Sequence, residues 1–478
     1  MIRFALLLLM SLALSSQAIA AVKWNNSNSS KATSSEDSNI KKIRKMGYGN
    51  EWYNLEAYAE DIVRRIGDKN NELEIYDGYL FQIPNITNYQ ISDATLEYYY
   101  LISDMHRKTN KHEHYIIQPS DKPLEFRFNQ ETNQVIEKQF REKAIFNYLY
   151  YEDGKIIYDA LLPSGRFNHT FTEASYFASN SVGKSITSYL LGHAICEGYI
   201  TSIDEKIAGW PLMKNTLYYG QPLINLLNMK AGDTHVIESK SAFFTKTGRR
   251  YSDGALLKAV RTEGELKATI PIKNAKFAYS NLTSEILYNF IMHRVGKDFD
   301  KFISNFYRNK VKVKYPIYQW MSKLTPRDKP RSTKNRIAQG AGRTGIEATR
   351  YDFLRIAVSM LNDWKNNSCE GKYLKEIYNR AVPTETKVTW NGRYSNPQRR
   401  PSFGNVAKSY AGQFYINIPE LKDQVIFAML GAYGQEIVIN MDKSRIVVIN
   451  AGQENFYHTR KLAFEPLKYG RIRSGNWN

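Results

Sequence analysis

Two short patterns contain residue types able to do covalent chemistry. The first is Ser181-Val182-Gly183-Lys184, and the second, about a hundred residues downstream, is Phe277-Ala278-Tyr279-Ser280-Asn281. Residues three apart on a helix are neighbours on one face, so a serine at a helix start can share a hydrogen bond with a lysine one turn later. A serine hydroxyl is a weak nucleophile until an adjacent base takes its proton. A lysine amine can be that base when burial or another cation keeps it neutral, and the helix N-terminus favours the negative charge that develops during attack. Alone, Ser-x-x-Lys is a weak signal, because Ser181 could be only a helix cap and Lys184 a solvated side chain. Ala178-Ser-Asn-Ser-Val-Gly-Lys-Ser185 is also one residue short of a phosphate-binding loop, with Ala178 where the first glycine belongs. That loop needs a preceding parallel strand, which Glu173–Phe177 does not clearly supply.

These residues need elements to hold them. Ser181 to Glu197 has helical spacing, with Ile186, Leu190 and Ala194 on an apolar face and Gly198 as its stop. Upstream, Phe146–Tyr151 and Lys155–Asp159 alternate as strands around Asp153-Gly154, a hairpin signal. After Tyr279-Ser280-Asn281, Ile286, Leu287, Phe290 and Ile291 repeat with helical spacing. Helices and loops are expected through about residue 380. Strands return at Gly412–Ile418, Gln424–Leu430, Glu436–Asn440 and Arg445–Asn450. Strands on both sides of a long helical insertion predict an α+β fold: an antiparallel sheet flanked by helices, built from distant parts of the chain.

Taken together, the motifs resemble the serine β-lactamase and penicillin-binding family, in particular its class C β-lactamase, esterase and 6-aminohexanoate-dimer hydrolase-like branch. That family pairs S-x-x-K with Y-x-N, here Ser181/Lys184 and Tyr279/Asn281. Leu226-Leu-Asn-Met-Lys-Ala-Gly232 is similar to its L-L-x-x-x-S-G segment, with Ala231 in place of serine. Gly340–Gly345 and Ala348–Phe353 are similar to its glycine-rich turn and following helix. The resemblance covers roughly residues 144 to 455. The family's third motif, K-T-G, is replaced by Gly431-Ala-Tyr-Gly-Gln435. Its lysine, used toward a substrate carboxylate, is missing, which puts efficient β-lactam hydrolysis in doubt and leaves esters and amides open.

The resemblance implies a β-lactamase/transpeptidase-like fold and an acyl-enzyme on Ser181, with Lys184 and Tyr279 moving its proton. It implies substrate contacts from Asn281, Gly431, Tyr433, Gly434 and Gln435. The oxyanion hole would join the Ser181 N–H to one from residues 431–435. The alternative is a catalytically silent relative that binds peptidoglycan or a peptide in the same cleft. No cofactor is implied. Eight histidines form no HExxH-like cluster, and two cysteines cannot make a cysteine-based metal site.

Residues 1–20 have the layout of a secretory signal peptide: Arg3, the apolar run Phe4–Leu14, and Ala18-Ile-Ala20 as the cleavage site. This predicts a periplasmic or secreted protein without stable membrane insertion after cleavage. A flexible polar linker (21–44), an N-terminal addition (45–138), the hydrolase domain (139–470) and a polar tail (471–478) follow. In a chain of 478 residues with 42% hydrophobic residues, a substantial core is possible. The formal charge of +19 is scattered and reads as a compositional bias with solvated charges, so no nucleic-acid partner is expected; the resemblance implies a small-molecule amide or ester substrate. Oligomeric state is not legible. Cys196 and Cys369 are expected to be two unpaired thiols, since export would permit a disulfide but nothing in the sequence brings them together.

Overall fold

The computed structural model describes residues 114–131, 133–136, 145–161, 172–214, 216–232, 275–321, 337, 340–384, 407–432, 434–451 and 456–472. The signal segment, the linker, and most of the tail and of the N-terminal addition lie outside these residues, as does Tyr433.

The strands are β1 (His114–Ile117), β2 (Arg127–Phe128), β3 (Ile145–Glu152), β4 (Lys155–Leu161), β5 (Tyr176–Ala178), β6 (Ile317–Met321) and β7 (Gly342–Thr349). They continue with β8 (Val382–Pro383), β9 (Ser409–Ala411), β10 (Phe414–Ile416), β11 (Ile426–Gly431), β12 (Gln435–Asn440) and β13 (Arg445–Ala451). The helices are α1 (Val182–Cys196), α2 (Leu223–Leu227), α3 (Asn281–Val295), α4 (Phe299–Ser304), α5 (Arg350–Asn366), α6 (Cys369–Asn379) and α7 (Phe456–Tyr469).

Among the described residues the main sheet has nine strands in the order β2-β4-β3-β13-β12-β11-β10-β9-β8, antiparallel except for the β2–β4 pair. The Asp153-Gly154 hairpin forms as expected, with both residues at positive φ (44° and 86°), the backbone twist that a two-residue turn between strands requires. β3 then pairs with β13, joining residues some 300 apart, such as Tyr148 with Ile449. This is the predicted union of distant strands. Every residue of β11 and β12 is buried. Successive side chains in a strand point to opposite faces, so this sheet is covered on both sides.

The segment expected to be helices and loops also holds strands. β6 and β7 join β1 and β5 in a four-stranded sheet of order β1-β6-β7-β5. The Gly340–Gly345 stretch thus runs from a turn into a strand, and its glycines permit close packing. A Cβ on Gly345 would sit 2.1 Å from the Trp320 ring, and one on Gly342 would sit 2.4 Å from the Tyr288 ring.

Between the two sheets runs α1. From Val182 to Ala194 every residue is buried, whatever its face, as expected of a helix enclosed on all sides. Two glycines allow this. A Cβ on Gly183 would lie 2.1 Å from Thr344 O in β7, and one on Gly192 would lie 2.5 Å from the Tyr373 ring in α6.

The far end of α1 corrects the expectation of two free thiols. Cys196, its last residue, is disulfide-bonded to Cys369, the first residue of α6, with Cα atoms 5.7 Å apart. The partners are separated by 173 residues, so only the packing of α6 on α1 brings them together. His193 and Lys310 meet the Glu370 carboxylate at 2.9 and 3.0 Å beside this bond. Burial opposes ionisation of Glu370, but these hydrogen bonds prevail and hold its carboxyl down to about 2. Closing so long a loop restricts the unfolded chain, so reduction is expected to lower stability by about 2–5 kcal/mol. Denaturant unfolding with and without reductant, beside the Cys196→Ser/Cys369→Ser variant, measures this. Coincident unfolding curves would refute it.

Candidate active site

The turn that carries Ser181 is clamped from two sides. Toward the small sheet, Ser179 N donates to Ile346 O and Ile346 N donates to Ser179 Oγ, both at 2.8 Å. Toward the main sheet, Asn180 Nδ2 donates to Ala432 O at 2.9 Å. Asn180 takes a left-handed conformation (φ 46°), which asparagine tolerates better than most residues, and the turn delivers Ser181 to the start of α1.

Ser181 makes no side-chain capping hydrogen bond, and its side chain is partly exposed. The hydroxyl lies instead 2.7 Å from Lys184 Nζ, which is the one-turn pairing predicted from the spacing. Lys184 is buried, with 5% exposure. Its amine sits 5.1 Å from the centroid of the Tyr279 ring, so residues 95 apart in the sequence face one another. Nearby on α3, the Glu285 carboxyl is buried 3.8 Å from Arg343 Nε. Burial pushes this carboxyl up to about 8, and the charge of Lys184 partly offsets that rise.

Tyr279 is carried on the approach to α3. Ala278 N donates to Met229 O at 2.9 Å, tying this approach to the Leu226–Gly232 segment. Ser280 caps α3 by accepting from Thr283 N at 3.3 Å, and Asn281 is the first helical residue. The capping serine thus fixes how far Tyr279 stands from the helix end.

β11 completes the surroundings of Ser181. A Cβ on Gly431 would fall 2.6 Å from Ser179 O and 3.1 Å from Ser181 N. The strand end therefore presses its backbone against the turn that carries Ser181, where only glycine fits. Gly434 turns the chain at φ 78°. Gln435 faces a different task, since its amide donates to Ala451 O at 2.6 Å and accepts from Asn450 Nδ2 at 2.8 Å. Its side chain is engaged in joining β12 to β13.

Two residues outside every motif border the site. Tyr410 packs edge-on to Tyr279 (ring centroids 6.5 Å apart) and against Phe277 (5.0 Å) and Tyr415 (5.0 Å). Burial first, then the neighbouring Tyr279, raises the Tyr410 phenol well above its ordinary range. The other is Gln413, in the β9–β10 turn. Neither was visible beforehand, because a lone tyrosine or glutamine has no spacing pattern to mark it. Among the described residues, no group of three or more His, Cys, Asp or Glu side chains is placed to hold a metal ion, and no helix is long and apolar enough to cross a membrane.

No family model matches the chain, and no curated protein matches it in sequence. Solved structures do. A provisionally assigned 6-aminohexanoate-dimer hydrolase from Bacillus anthracis aligns with a TM-score of 0.51 at 16% identity, over 77% of this chain and 92% of that one. A class C β-lactamase from Rhodobacter sphaeroides gives 0.41 at 15% identity, over 67% and 93%. A penicillin-binding protein homologue from Pyrococcus abyssi gives 0.45 at 14% identity, over 70% and 75%. The first of these likenesses, at its low identity, shows the fold, which is the α+β arrangement of the β-lactamase/transpeptidase group expected from the motifs.

Proposed function

We propose that this chain, which has the β-lactamase/transpeptidase-like fold, is an exported serine hydrolase that cleaves a small amide or ester through an acyl-enzyme on Ser181. A fold alone does not carry an activity, so the reading rests on the site. The observation that carries it is the buried Lys184 amine 2.7 Å from Ser181 Oγ, with the Tyr279 ring beside it. A purely structural serine at a helix start would spend its hydroxyl on the helix N–H groups, and Ser181 does not.

In the proposed reaction Ser181 Oγ bonds to the substrate carbonyl carbon while its proton passes to Lys184. The proton moves on through Tyr279 to the leaving nitrogen or oxygen as the scissile bond breaks. Water then attacks the acyl-enzyme, giving its proton back along the same path and restoring Ser181. The backbone N–H of Ser181 faces the oxyanion from the turn held against Gly431. Asn281 and the Gly431–Gln435 segment contact the substrate.

The substrate we favour is small and uncharged near the reacting carbonyl. The Gly431–Gln435 segment, where the resemblance would place the K-T-G motif, holds no lysine, and the wall beside Tyr279 is aromatic, formed by Phe277, Tyr410 and Tyr415. Export is supported by the N-terminal signal pattern and by the Cys196–Cys369 disulfide, a bond that persists in oxidising compartments.

Fluorophosphonate labelling of the mature protein, with the adduct located by peptide mass spectrometry, tests the reading. An adduct on Ser181 is the expected result. A folded protein that reacts neither with this probe nor with a fluorescent penicillin would instead be the silent, ligand-binding relative. Within the hydrolase reading, Tyr279→Phe removes the proton relay while keeping the ring against Tyr410. Its turnover is expected to fall by about 10²–10⁴-fold, with KM for an activated ester little changed. Wild-type turnover in this variant would exclude Tyr279 from proton transfer.

A further inference from the structure

The turn between β9 and β10 contains a residue that its backbone does not favour. Phe414 pairs with Ala411, so Gly412-Gln413 is a two-residue hairpin turn, and both residues have positive φ, 55° and 73°. Such turns select glycine, asparagine or aspartate. A glutamine there carries backbone strain that a glycine would not. Gln413 is nonetheless kept, and it is almost wholly buried.

Its bonds reach three separate elements. Gln413 Oε1 accepts from Ser284 Oγ on α3 at 2.6 Å. Nε2 donates to Leu226 O and Leu227 O at the end of α2, both at 2.9 Å. Its main-chain N also donates to Leu227 O at 2.9 Å, and its main-chain O accepts from Ser185 Oγ on α1 at 2.6 Å. Ser185 directly follows Lys184, and Ser284 lies one turn beyond Asn281. At the end of α2, Leu226 O also accepts from Met229 N at 3.1 Å, and Met229 O holds Ala278, the neighbour of Tyr279.

We propose that Gln413 is a positioning residue for acyl transfer, holding the Ser181–Lys184 helix and the Tyr279–Asn281 helix in register; this rests on the hydrolase reading above. The side chain links α3 to α2 while the same residue's backbone is fixed to α1, so the separation of Lys184 from Tyr279 depends on it. Misplacing reacting groups by about 1 Å costs on the order of 100-fold in rate.

The test separates the rate constant of acylation from probe affinity in a fluorophosphonate assay. Gln413→Gly suits the turn's backbone and deletes both side-chain links. Its acylation rate constant is expected to fall by roughly 10–100-fold, with probe affinity retained, at temperatures where near-ultraviolet circular dichroism shows it fully folded. Ser284→Ala removes one link and leaves the turn untouched. It is expected to give a smaller loss, and the double variant no greater loss than Gln413→Gly alone, the non-additivity of groups acting through one contact. Should Gln413→Gly fail to fold, Ser284→Ala decides alone through the same rate constant. A wild-type acylation rate in whichever folded variant decides, or losses that simply add, would overturn the proposal. A folded wild type that is never labelled overturns the hydrolase reading itself, which the other outcomes leave standing.

Discussion

Ser181→Ala is expected to abolish covalent labelling and turnover outright, and Lys184→Met to slow acylation by about 10²–10⁴-fold, the usual worth of a positioned general base. The hydroxyl supplies the oxygen that links the acyl group to the protein in the proposed reaction, so its removal leaves no acyl-enzyme to form. For Lys184 the choice of replacement decides what is learned. Methionine keeps most of the buried volume, so a folded Lys184→Met protein isolates the loss of the amine. Lys184→Arg then distinguishes two roles. Arginine supplies charge but cannot give up its proton in a protein, so a base is not rescued by it, whereas an electrostatic anchor is. Acylation rates for the three variants, each with its melting temperature, make the comparison. Recovery of the wild-type rate in Lys184→Arg would remove Lys184 from the role of base and leave it as an orienting charge for Ser181.

Much of this site was legible because its signals are local. The Ser181–Lys184 spacing specifies one helical turn, and the structure closes it at 2.7 Å. The Asp153-Gly154 turn between alternating apolar residues specifies a hairpin. What was hidden depends on contacts between distant segments. β7 did not stand out as a strand because its glycines break the strand pattern, and those glycines are there to admit Trp320 of β6 and the Tyr288 ring of α3. The disulfide was invisible because its halves meet only when α6 packs on α1. The resemblance implies a substrate contact from Gln435, but its side-chain amide is taken up between β12 and β13. The segment approaches Ser181 by backbone, at Gly431. Gln413 contradicts its local backbone preference, and only the fold shows what it gains in return. Sites where local rules fail are where functional constraint is expected.

The same reasoning makes Gly431 the most sensitive glycine of the site. Its φ is not in the left-handed region, so conformational freedom is not why glycine stands there. Space is the reason, since a Cβ would meet Ser179 O at 2.6 Å and Ser181 N at 3.1 Å, both backbone atoms that cannot swing aside. Gly431→Ala must therefore push the end of β11 away from the turn carrying Ser181, or turn the Ser181 N–H from its direction. Either shift opens the place where a tetrahedral intermediate would put its oxygen. Loss of one oxyanion donor costs about 10²–10³-fold in turnover, and Gly431→Ala is expected to lose that much, with KM changed far less. Gly431→Val should lose more, because its methyls add to the same clash. β11 is buried in the middle of the main sheet, so the displacement is confined to the strand's end and the folded state should survive. The decisive measurement is kcat on a p-nitrophenyl ester beside the melting temperature. Near-wild-type kcat in a stably folded Gly431→Ala protein would show that β11 does not border the oxyanion, and a second donor would have to be sought on the β7 side of the turn.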